Sequence, residues 1–266
     1  MALFLGCSKK AGWDDPYAAP SAVALAPASA EAPHALTRLA LSPTELRRDA
    51  STLATIAEIR ESAHDDGMQA RLATAIGTPA DVLLYVDRST PFEVLSSLVN
   101  LLGAAGVRSD RVELAVAGTD GKTAAVRLGP PSPRNCELTF INVVKDAGAA
   151  TKRANANEVP CRVEAGLNPV VRVEGEGFGV NAGGANLATN CDDIGPGLAV
   201  RGHDVSLLVS CLDRVKHLHK EFESERAVVV TASPATRFED IAPVLAGVRK
   251  VSGGGDLFPD VTLSTR

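Results

Sequence analysis

The order of apolar and polar positions is most regular between residues 81 and 118. Val82–Val86 is a short apolar run rich in β-branched residues, which predicts a strand. Between Phe92 and Leu102 the apolar residues recur at the spacing of a helix with one apolar face. Large apolar residues then occupy alternate positions of residues 112–117, which predicts a second strand. The pattern therefore predicts a strand, a helix and a strand in succession.

The start of this helix carries residues that favour a helix N-terminus. Ser89 or Thr90 is expected to be the N-cap, because a short hydroxyl side chain can accept a hydrogen bond from a free N–H group. Pro91 suits the first helical position, and Glu93 lies in the first turn, where the helix dipole favours a carboxylate. Gly103 is expected to end the helix.

The same pattern recurs near the C-terminus at a constant offset. Phe92 corresponds to Phe238, since 238 − 92 = 146, and Glu93 corresponds to Glu239 at the same offset. Residues 259–264 then take the place of residues 112–117, about three residues later. Two copies are too few for a solenoid, and so large a spacing indicates two similar domains in tandem.

The remaining periodicity places the domain boundaries. Residues 34–129 are expected to form the first domain and residues 130–266 the second, with a polar insertion at about 145–167. A helix is predicted from Thr52 to Ile76, which Asp65-Asp66-Gly67 could interrupt. The predicted fold class is α+β, with two tandem two-layer domains that each run strands, helix, strand, helix, strand.

The N-terminus, residues 1–33, has a different character. Leu5-Gly6-Cys7 resembles a bacterial lipobox, whose cysteine is lipidated, although the basic and apolar segments that normally precede it are missing. A true start upstream of Met1 would explain this, and the alternative is a short apolar tail with a free cysteine. The Ala- and Pro-rich residues 8–33 are expected to form an extended linker that buries no core.

Composition and charge narrow the possible functions. The chain has 266 residues, which is long for one domain and comfortable for two. A net charge of −5 leaves no basic surface for nucleic acid. Aromatic residues make up only 4%, so the cores must be aliphatic. The longest apolar runs fall well short of the ~20 residues that a membrane span needs.

Two features resemble metal or phosphate sites at first sight. His217 and His219 lie near Cys211, but residues two positions apart on a helix face different directions, so a solvated helix end is the better interpretation. The glycine-rich residues 174–185 lack the Gly-Lys-Ser/Thr ending of a P-loop and the Rossmann spacing, and they are expected to form a hairpin. We therefore predict no metal site and no cofactor.

Carboxylates near the first helix are the remaining catalytic candidates. Asp87 and Glu93 would be a candidate pair for acid–base chemistry, but the second copy has Ser233 in place of Asp87. A turn and capping role is therefore favoured, and no catalytic residue is predicted. Asp87, Arg88, Glu93 and Glu239 are instead predicted to lie on a possible surface for docking a partner.

Four cysteines besides Cys7 lie in the second predicted domain. They are Cys136, Cys161, Cys191 and Cys211, which allow three pairings into two disulfides. Cys191 with Cys211 would tie the hairpin exit to the following helix, and Cys136 with Cys161 would clamp the polar insertion. The alternative is a set of buried free thiols.

The segment Asp87-Arg-Ser-Thr-Pro-Phe-Glu, preceded by a strand and followed by a helix ending near Ala105-Gly106, resembles the periplasmic domain of the ExbD/TolR family. Residues 178–220 resemble the N-terminal half of that domain. The resemblance extends over most of residues 35–118 and 136–265. It implies a two-layer α/β fold that dimerises and contacts periplasmic partners or, in some members, peptidoglycan. Family members are accessory subunits of motors driven by the proton motive force.

The chain departs from the family because the usual N-terminal membrane helix, with its buried aspartate, has no counterpart in the sequence. The resemblance then implies a non-catalytic periplasmic binding or scaffolding protein, and the lipobox-like sequence would anchor it through Cys7. Expected partners are an ExbB/TolQ-type motor complex, a periplasmic protein or peptidoglycan. One alternative is a stand-alone envelope lipoprotein whose doubled domain reproduces the family dimer within one chain. Another is a cytosolic α/β enzyme without a recognisable motif.

Overall fold

The structure is a computed structural model, and it is mixed α+β. It describes residues 17–35, 37–61, 66–77, 80–130, 167–251 and 253–264. The helices in these ranges are α1 (Ile56–Glu61), α2 (Asp66–Ile76), α3 (Phe92–Ala104), α4 (Val205–Lys216) and α5 (Phe238–Gly247). The strands are β1 (Thr37–Leu41), β2 (Glu45–Arg48), β3 (Ser51–Thr55), β4 (Val82–Val86), β5 (Val112–Ala117), β6 (Thr123–Arg127), β7 (Val170–Glu174), β8 (Gly177–Ala182), β9 (Ala185–Asn186), β10 (Val200–Arg201), β11 (Ala227–Ala232) and β12 (Asp260–Leu263).

The strands form two mixed sheets, one in the N-terminal half (residues 17–130) and one in the C-terminal half (residues 167–264). The first sheet has the order β3-β2-β1-β4-β5-β6. The second has the order β10-β8-β7-β11-β12, with β9 paired to β8. In each sheet three strands are parallel, β1-β4-β5 in the first and β7-β11-β12 in the second. Antiparallel strands extend each sheet from there.

The two copies of the strand-helix-strand pattern have the same register. Val82 in β4 pairs with Val112 in β5, and Val228 in β11 pairs with Val261 in β12. Val228 lies 146 residues after Val82, since 228 − 82 = 146, which is the offset read from the sequence. The predicted strand, helix and strand of residues 81–118 are confirmed.

The helices cover one face of each sheet with the apolar side chains that the periodicity predicts. In α3 the side chains of Phe92, Leu95, Leu98 and Leu102 are fully or almost fully buried. Buried apolar side chains of the two halves form one connected cluster, which joins residues of α3 and β5 to residues of α5 and β12. The halves therefore pack against each other.

The predicted helix from Thr52 to Ile76 is wrong at its start. Residues 51–55 form the edge strand β3, which pairs with β2 from Ser51–Arg48 to Thr55–Glu45. The helical part follows as α1 and α2. Thr52 and Thr55 are β-branched, and the hydrogen bonds available along β2 decide the competition in favour of a strand.

Residues 17–35 also depart from prediction. Residues 17–35 are called the strap here; the sequence predicts a linker without a core for its residues 17–33, but the strap packs on the first sheet. Val23, Ala26 and Ala35 are buried, and the strap makes isolated bridges to Asp87, Ala117 and Ala125. Small side chains and extended backbone let the strap lie close to the sheet, so low hydrophobicity did not prevent its burial.

Candidate functional site

The two copies contact each other at the starts of helices α3 and α5, through corresponding residues. The N–H of Phe92 donates to the carbonyl of Thr236 at 2.7 Å, and the N–H of Phe238 donates to the carbonyl of Thr90 at 2.9 Å. The next residue of each helix makes an equivalent bond. The N–H of Glu93 donates to the carbonyl of Pro234 at 3.1 Å, and the N–H of Glu239 donates to the carbonyl of Arg88 at 2.9 Å. Every partner is 146 residues from its counterpart, so the contact is reciprocal.

This contact replaces the helix caps that neither copy provides for itself. The first N–H groups of a helix have no partner within it and need an external acceptor. The residue that precedes α3 is Pro91 and the one that precedes α5 is Arg237, and neither side chain caps its helix. The carbonyl groups of the opposite copy accept those N–H groups instead. Each helix start is therefore completed only when both copies are present.

The N-cap predicted at Ser89 or Thr90 is wrong for the same reason. The Ser89 hydroxyl donates to the Asp87 carboxylate at 2.6 Å, so it is not directed to the helix. The Thr90 hydroxyl is buried and makes no hydrogen bond. Pro91, expected as the first helical residue, stands in the N-cap position with an extended backbone. The loop is shaped by its contact with the other copy.

Asp87, one of the four predicted docking residues, is buried behind this contact. Its carboxylate accepts hydrogen bonds from the Ala24 N–H at 2.9 Å and from the N–H and hydroxyl of Ser89. Burial by itself raises the pKa of Asp87, but the hydrogen bonds from Ser89 and Ala24 outweigh burial and hold the pKa below its ordinary value. Asp87 thus attaches the strap to the end of β4.

The other three predicted docking residues lie at the edge of the contact and remain accessible. Arg88 and Glu239 form an ion pair across it at 3.8 Å, with the Arg88 side chain 59% exposed. Glu93 pairs with Arg60 of its own half at 2.9 Å. Exposed pairs of this kind contribute little stability, so these side chains remain available to a partner.

A charged cleft lies where the strap, the outer edge of β6 and the C-terminal half meet. Its volume is about 350 Å³. The charged and titratable residues that line it are Glu31, His34, Glu113, Arg127, Arg249 and Lys250. Lys250 pairs with Glu31 at 2.8 Å, and Arg249 donates to the carbonyl of Arg127. The cleft therefore connects both halves through polar contacts.

Glu113 is the central residue of this cleft, and sequence reasoning missed it. It lies in β5, its side chain is only 3% exposed, and its carboxylate accepts from His34 N–H, Ala35 N–H and Arg127. Burial raises its pKa, but the hydrogen bonds from His34, Arg127 and Ala35 hold the pKa below its ordinary value. An ionised carboxylate saturated in this way is a weak base, so the arrangement favours a structural role.

One signal in the sequence indicated Glu113. A single carboxylate stands at the second position of the otherwise apolar strand Val112–Ala117, where a buried charge requires a partner. At the corresponding position of the C-terminal half, β12 has Thr262, whose hydroxyl is buried without a hydrogen bond. The carboxylate is thus a feature of the N-terminal half, which carries the strap.

The structure pairs Cys191 with Cys211 as a disulfide with a Cα–Cα distance of 5.6 Å. The bond ties the loop after β9 to the buried face of α4, as expected from the sequence. Cys7, Cys136 and Cys161 lie outside the described residues. Lipidation at Cys7 and the second predicted disulfide therefore stay predictions.

The histidines near the end of α4 do not converge. His217 contacts the backbone carbonyl of Asp213 at 2.8 Å, and the ring of His219 meets the edge of Phe222 at 5.1 Å. Among the residues that the structure describes, no group of three potential ligands is placed to hold a metal ion. Lys216, on the same helix, is buried, its ammonium nitrogen lies over the face of the Phe258 ring, and it donates to the carbonyl of Leu257. These contacts secure the end of the helix.

Comparisons of the chain with protein-family models, with curated proteins and with solved structures found no match. None of the helices in the described ranges has both the length and the apolar character needed to cross a membrane. Function is therefore inferred from the sequence pattern and from the contacts of this chain alone.

Proposed function

We propose that the chain is a non-catalytic binding or scaffolding protein of the cell envelope, formed by two ExbD/TolR-like domains that dimerise inside one chain. Its partners would be an ExbB/TolQ-type motor complex, a periplasmic protein or peptidoglycan, and Cys7 would anchor it to the membrane. The observation that carries the proposal is the reciprocal contact between residues 88–93 and 234–239.

The reciprocal contact supports an internal dimer because it satisfies the same N–H groups in both copies. In a dimer of identical subunits, the two-fold axis brings the same surface of each subunit together. Here the corresponding surfaces of two unequal copies meet in the same manner. This favours the stand-alone scaffold over a subunit that must find a second chain in order to complete its helix starts.

The disulfide supports the proposed location in the periplasm. Disulfides form and persist in oxidising environments such as the bacterial periplasm and are rare in the cytosol. The bond between Cys191 and Cys211 closes a separation of 20 residues in a part of the chain that carries no redox-active Cys-x-x-Cys motif. A structural role in an oxidising compartment is the interpretation that fits both facts.

The first test concerns the compartment. The gene with its upstream region would be expressed in a Gram-negative host with labelled palmitate, followed by fractionation, with Cys7→Ala as the control. We expect label on the wild-type chain, loss of label in the variant, and a periplasmic or membrane fraction for the wild type. A cytosolic, unlabelled chain with five free thiols under denaturing conditions would contradict the proposal, because the sequence contains five cysteines.

The second test concerns the internal dimer and its partner. Light scattering on the purified full chain is expected to give a monomer, because each copy already serves as the partner of the other. Sedimentation with purified peptidoglycan sacculi would then test one partner directly, with bovine serum albumin as a control for trapping. A stable dimer of chains, with both copies contacting the other chain, would overturn the internal dimer.

A further inference from the structure

The charged cleft between the strap and the C-terminal half carries more positive than negative groups, counting histidine as neutral. Its cations are Arg127, Arg249 and Lys250, and its carboxylates are Glu31 and Glu113. The chain as a whole has a net charge of −5, so the positive excess is a local feature of this cleft. The volume of about 350 Å³ lies in the range of small-ligand sites.

Two of the three cations are paired with the carboxylates of the cleft. Arg127 donates to Glu113 through Nε at 3.2 Å and through Nη2 at 2.7 Å. Lys250 pairs with Glu31 at 2.8 Å. Among the described residues, Arg249 has no carboxylate within ion-pair distance, and its hydrogen bond goes from Nη1 to the backbone carbonyl of Arg127. In this part of the chain the charge of Arg249 is therefore uncompensated, and its Nε and Nη2 have no acceptor.

Glu31 shows that the mouth of the cleft stabilises a negative charge. Its side chain is 65% exposed, yet the hydrogen bond from Lys250 and the positive charges of Lys250, Arg249 and His34 hold the pKa of Glu31 below its ordinary value. A carboxylate of the chain thus lies where the field of the cleft favours an oxyanion. An exposed ion pair contributes little stability, so a second anion can compete with Glu31 for Lys250.

The repeated unit folds without these cations. Arg249 and Lys250 follow helix α5, where the helix dipole favours a cation, but their described side-chain contacts go to the N-terminal half. The corresponding positions of α3, 146 residues earlier, are Gly103 and Ala104. The N-terminal half forms the same strand, helix and strand with these two small residues. The basic pair is therefore a feature of the cleft and is not required by the repeat.

We propose that the cleft binds an oxyanion, a phosphate or carboxylate group of a small molecule, through Arg249 and Lys250. The Nε and Nη2 groups share one edge of the guanidinium and match either oxyanion as a two-pronged donor, and the ammonium adds a point charge. Ser29 lines the same cleft with a hydroxyl. Because Ser29 belongs to the N-terminal half and Arg249 to the C-terminal half, the bound group links the two. The scaffolding function does not use this cleft, so the inference goes beyond it.

Isothermal titration calorimetry on the full chain tests the site, with inorganic phosphate and acetate as separate probes at low ionic strength. We expect saturable binding with a Kd of about 1 mM or below. Arg249→Gln should weaken binding at least about tenfold, because it removes the charge and the two-pronged donor. The glutamine amide can still donate to the Arg127 carbonyl, so the contact between the halves is kept. Arg201→Gln is the matched control, since Arg201 is exposed on β10 and lies outside the cleft.

Glu31→Gln separates binding from damage to the fold. It releases Lys250 from an exposed pair, so binding should become about two- to fivefold tighter, a gain that unfolding cannot produce. Binding of phosphate but not acetate would identify a phosphate ligand, the reverse would identify a carboxylate ligand, and binding of both would support the site as stated. The proposal is overturned if neither probe saturates, if Arg249→Gln binds as well as the wild type, or if Glu31→Gln binds more weakly. The cleft would then be only a polar contact between the halves.

Discussion

Replacing Glu113 by glutamine tests the view that this buried carboxylate attaches the strap. The substitution keeps the size of the side chain but removes its charge and one of its two acceptor oxygens. The carboxylate now accepts from two backbone N–H groups, at 2.8 Å from His34 and 3.1 Å from Ala35, and from Arg127 at 2.7 Å. The single oxygen of the glutamine amide can accept either from the two backbone N–H groups or from Arg127. Its NH2 group then faces the other donors.

The expected loss in the free energy of unfolding follows from the burial of each donor. A hydrogen bond to a charged group contributes about 1.5–3 kcal/mol, and a buried donor left without a partner costs about 1–3 kcal/mol. Arg127 is 49% exposed, so water recovers part of its loss, whereas Ala35 is 1% exposed and has no such alternative. We therefore expect the glutamine variant to lose about 2–3 kcal/mol of the free energy of unfolding.

Urea unfolding followed by circular dichroism would measure this loss. Glu239→Gln is the matched control, because it makes the same chemical change in an exposed ion pair, and we expect it to stay within about 0.5 kcal/mol of the wild type. Faster hydrogen exchange at Ala35 should accompany the Glu113 effect. A loss for Glu113→Gln no larger than that of the control would refute the reasoning that this carboxylate fastens the strap.

Three further predictions concern pH, the disulfide and the contact between the halves. Asp87 and Glu113 have folded-state pKa values below their ordinary values, so their stabilisation is complete above the unfolded pKa and is lost as pH falls through the folded pKa. Urea midpoints should therefore drop on acidification below about pH 4.5, and less steeply in Glu113→Gln. Cys191→Ser should cost about 3 kcal/mol and make thermal unfolding less sensitive to reductant than that of the wild type, whereas equal melting of the wild type with and without reductant would contradict the disulfide. In Gly129→Ala the new Cβ would lie 2.7 Å from the backbone of Asp260, so we expect a loss of about 1–3 kcal/mol in urea, against almost none for Gly253→Ala, which has open space. Equal effects of the two alanines would show that the halves do not approach each other closely.

Local periodicity predicted the parts of the fold that depend on local contacts. The apolar face of α3 was predicted from spacing alone, because burial of one helix face repeats with the helix period. The strand β5 was predicted from its alternating large apolar residues, although the structure buries both of its faces. The pairing of Cys191 with Cys211 was among the predicted options, since the hairpin and the following helix are neighbours in the chain. Residues 51–55 were assigned to the wrong element, because only pairing with β2 decides between helix and strand for such a short segment.

The site around Glu113 could not be predicted, because it depends on contacts between distant residues that no local sequence pattern shows. The backbone N–H groups that donate to Glu113 belong to Ala35 and His34, which lie 78 and 79 positions earlier in the chain. The environment of Glu113 therefore depends on how the strap returns to the sheet. Residues 17–33 of the strap were predicted to be part of a linker because they are rich in Ser, Ala and Pro. Its burial results from close backbone approach, which alanine permits and which hydrophobicity does not measure.

The sequence by itself determined the repeated strand-helix-strand unit, its offset and its apolar faces, because these follow from the period of side chains along a helix or strand. Only the tertiary structure decided how the helix starts at Phe92 and Phe238 are completed. Both helices lack a side-chain cap, and the sequence suggested hydroxyl residues nearby as caps. The N–H groups instead found carbonyl acceptors in the other copy, since a helix N-terminus accepts any well-placed oxygen and two like segments can satisfy each other reciprocally.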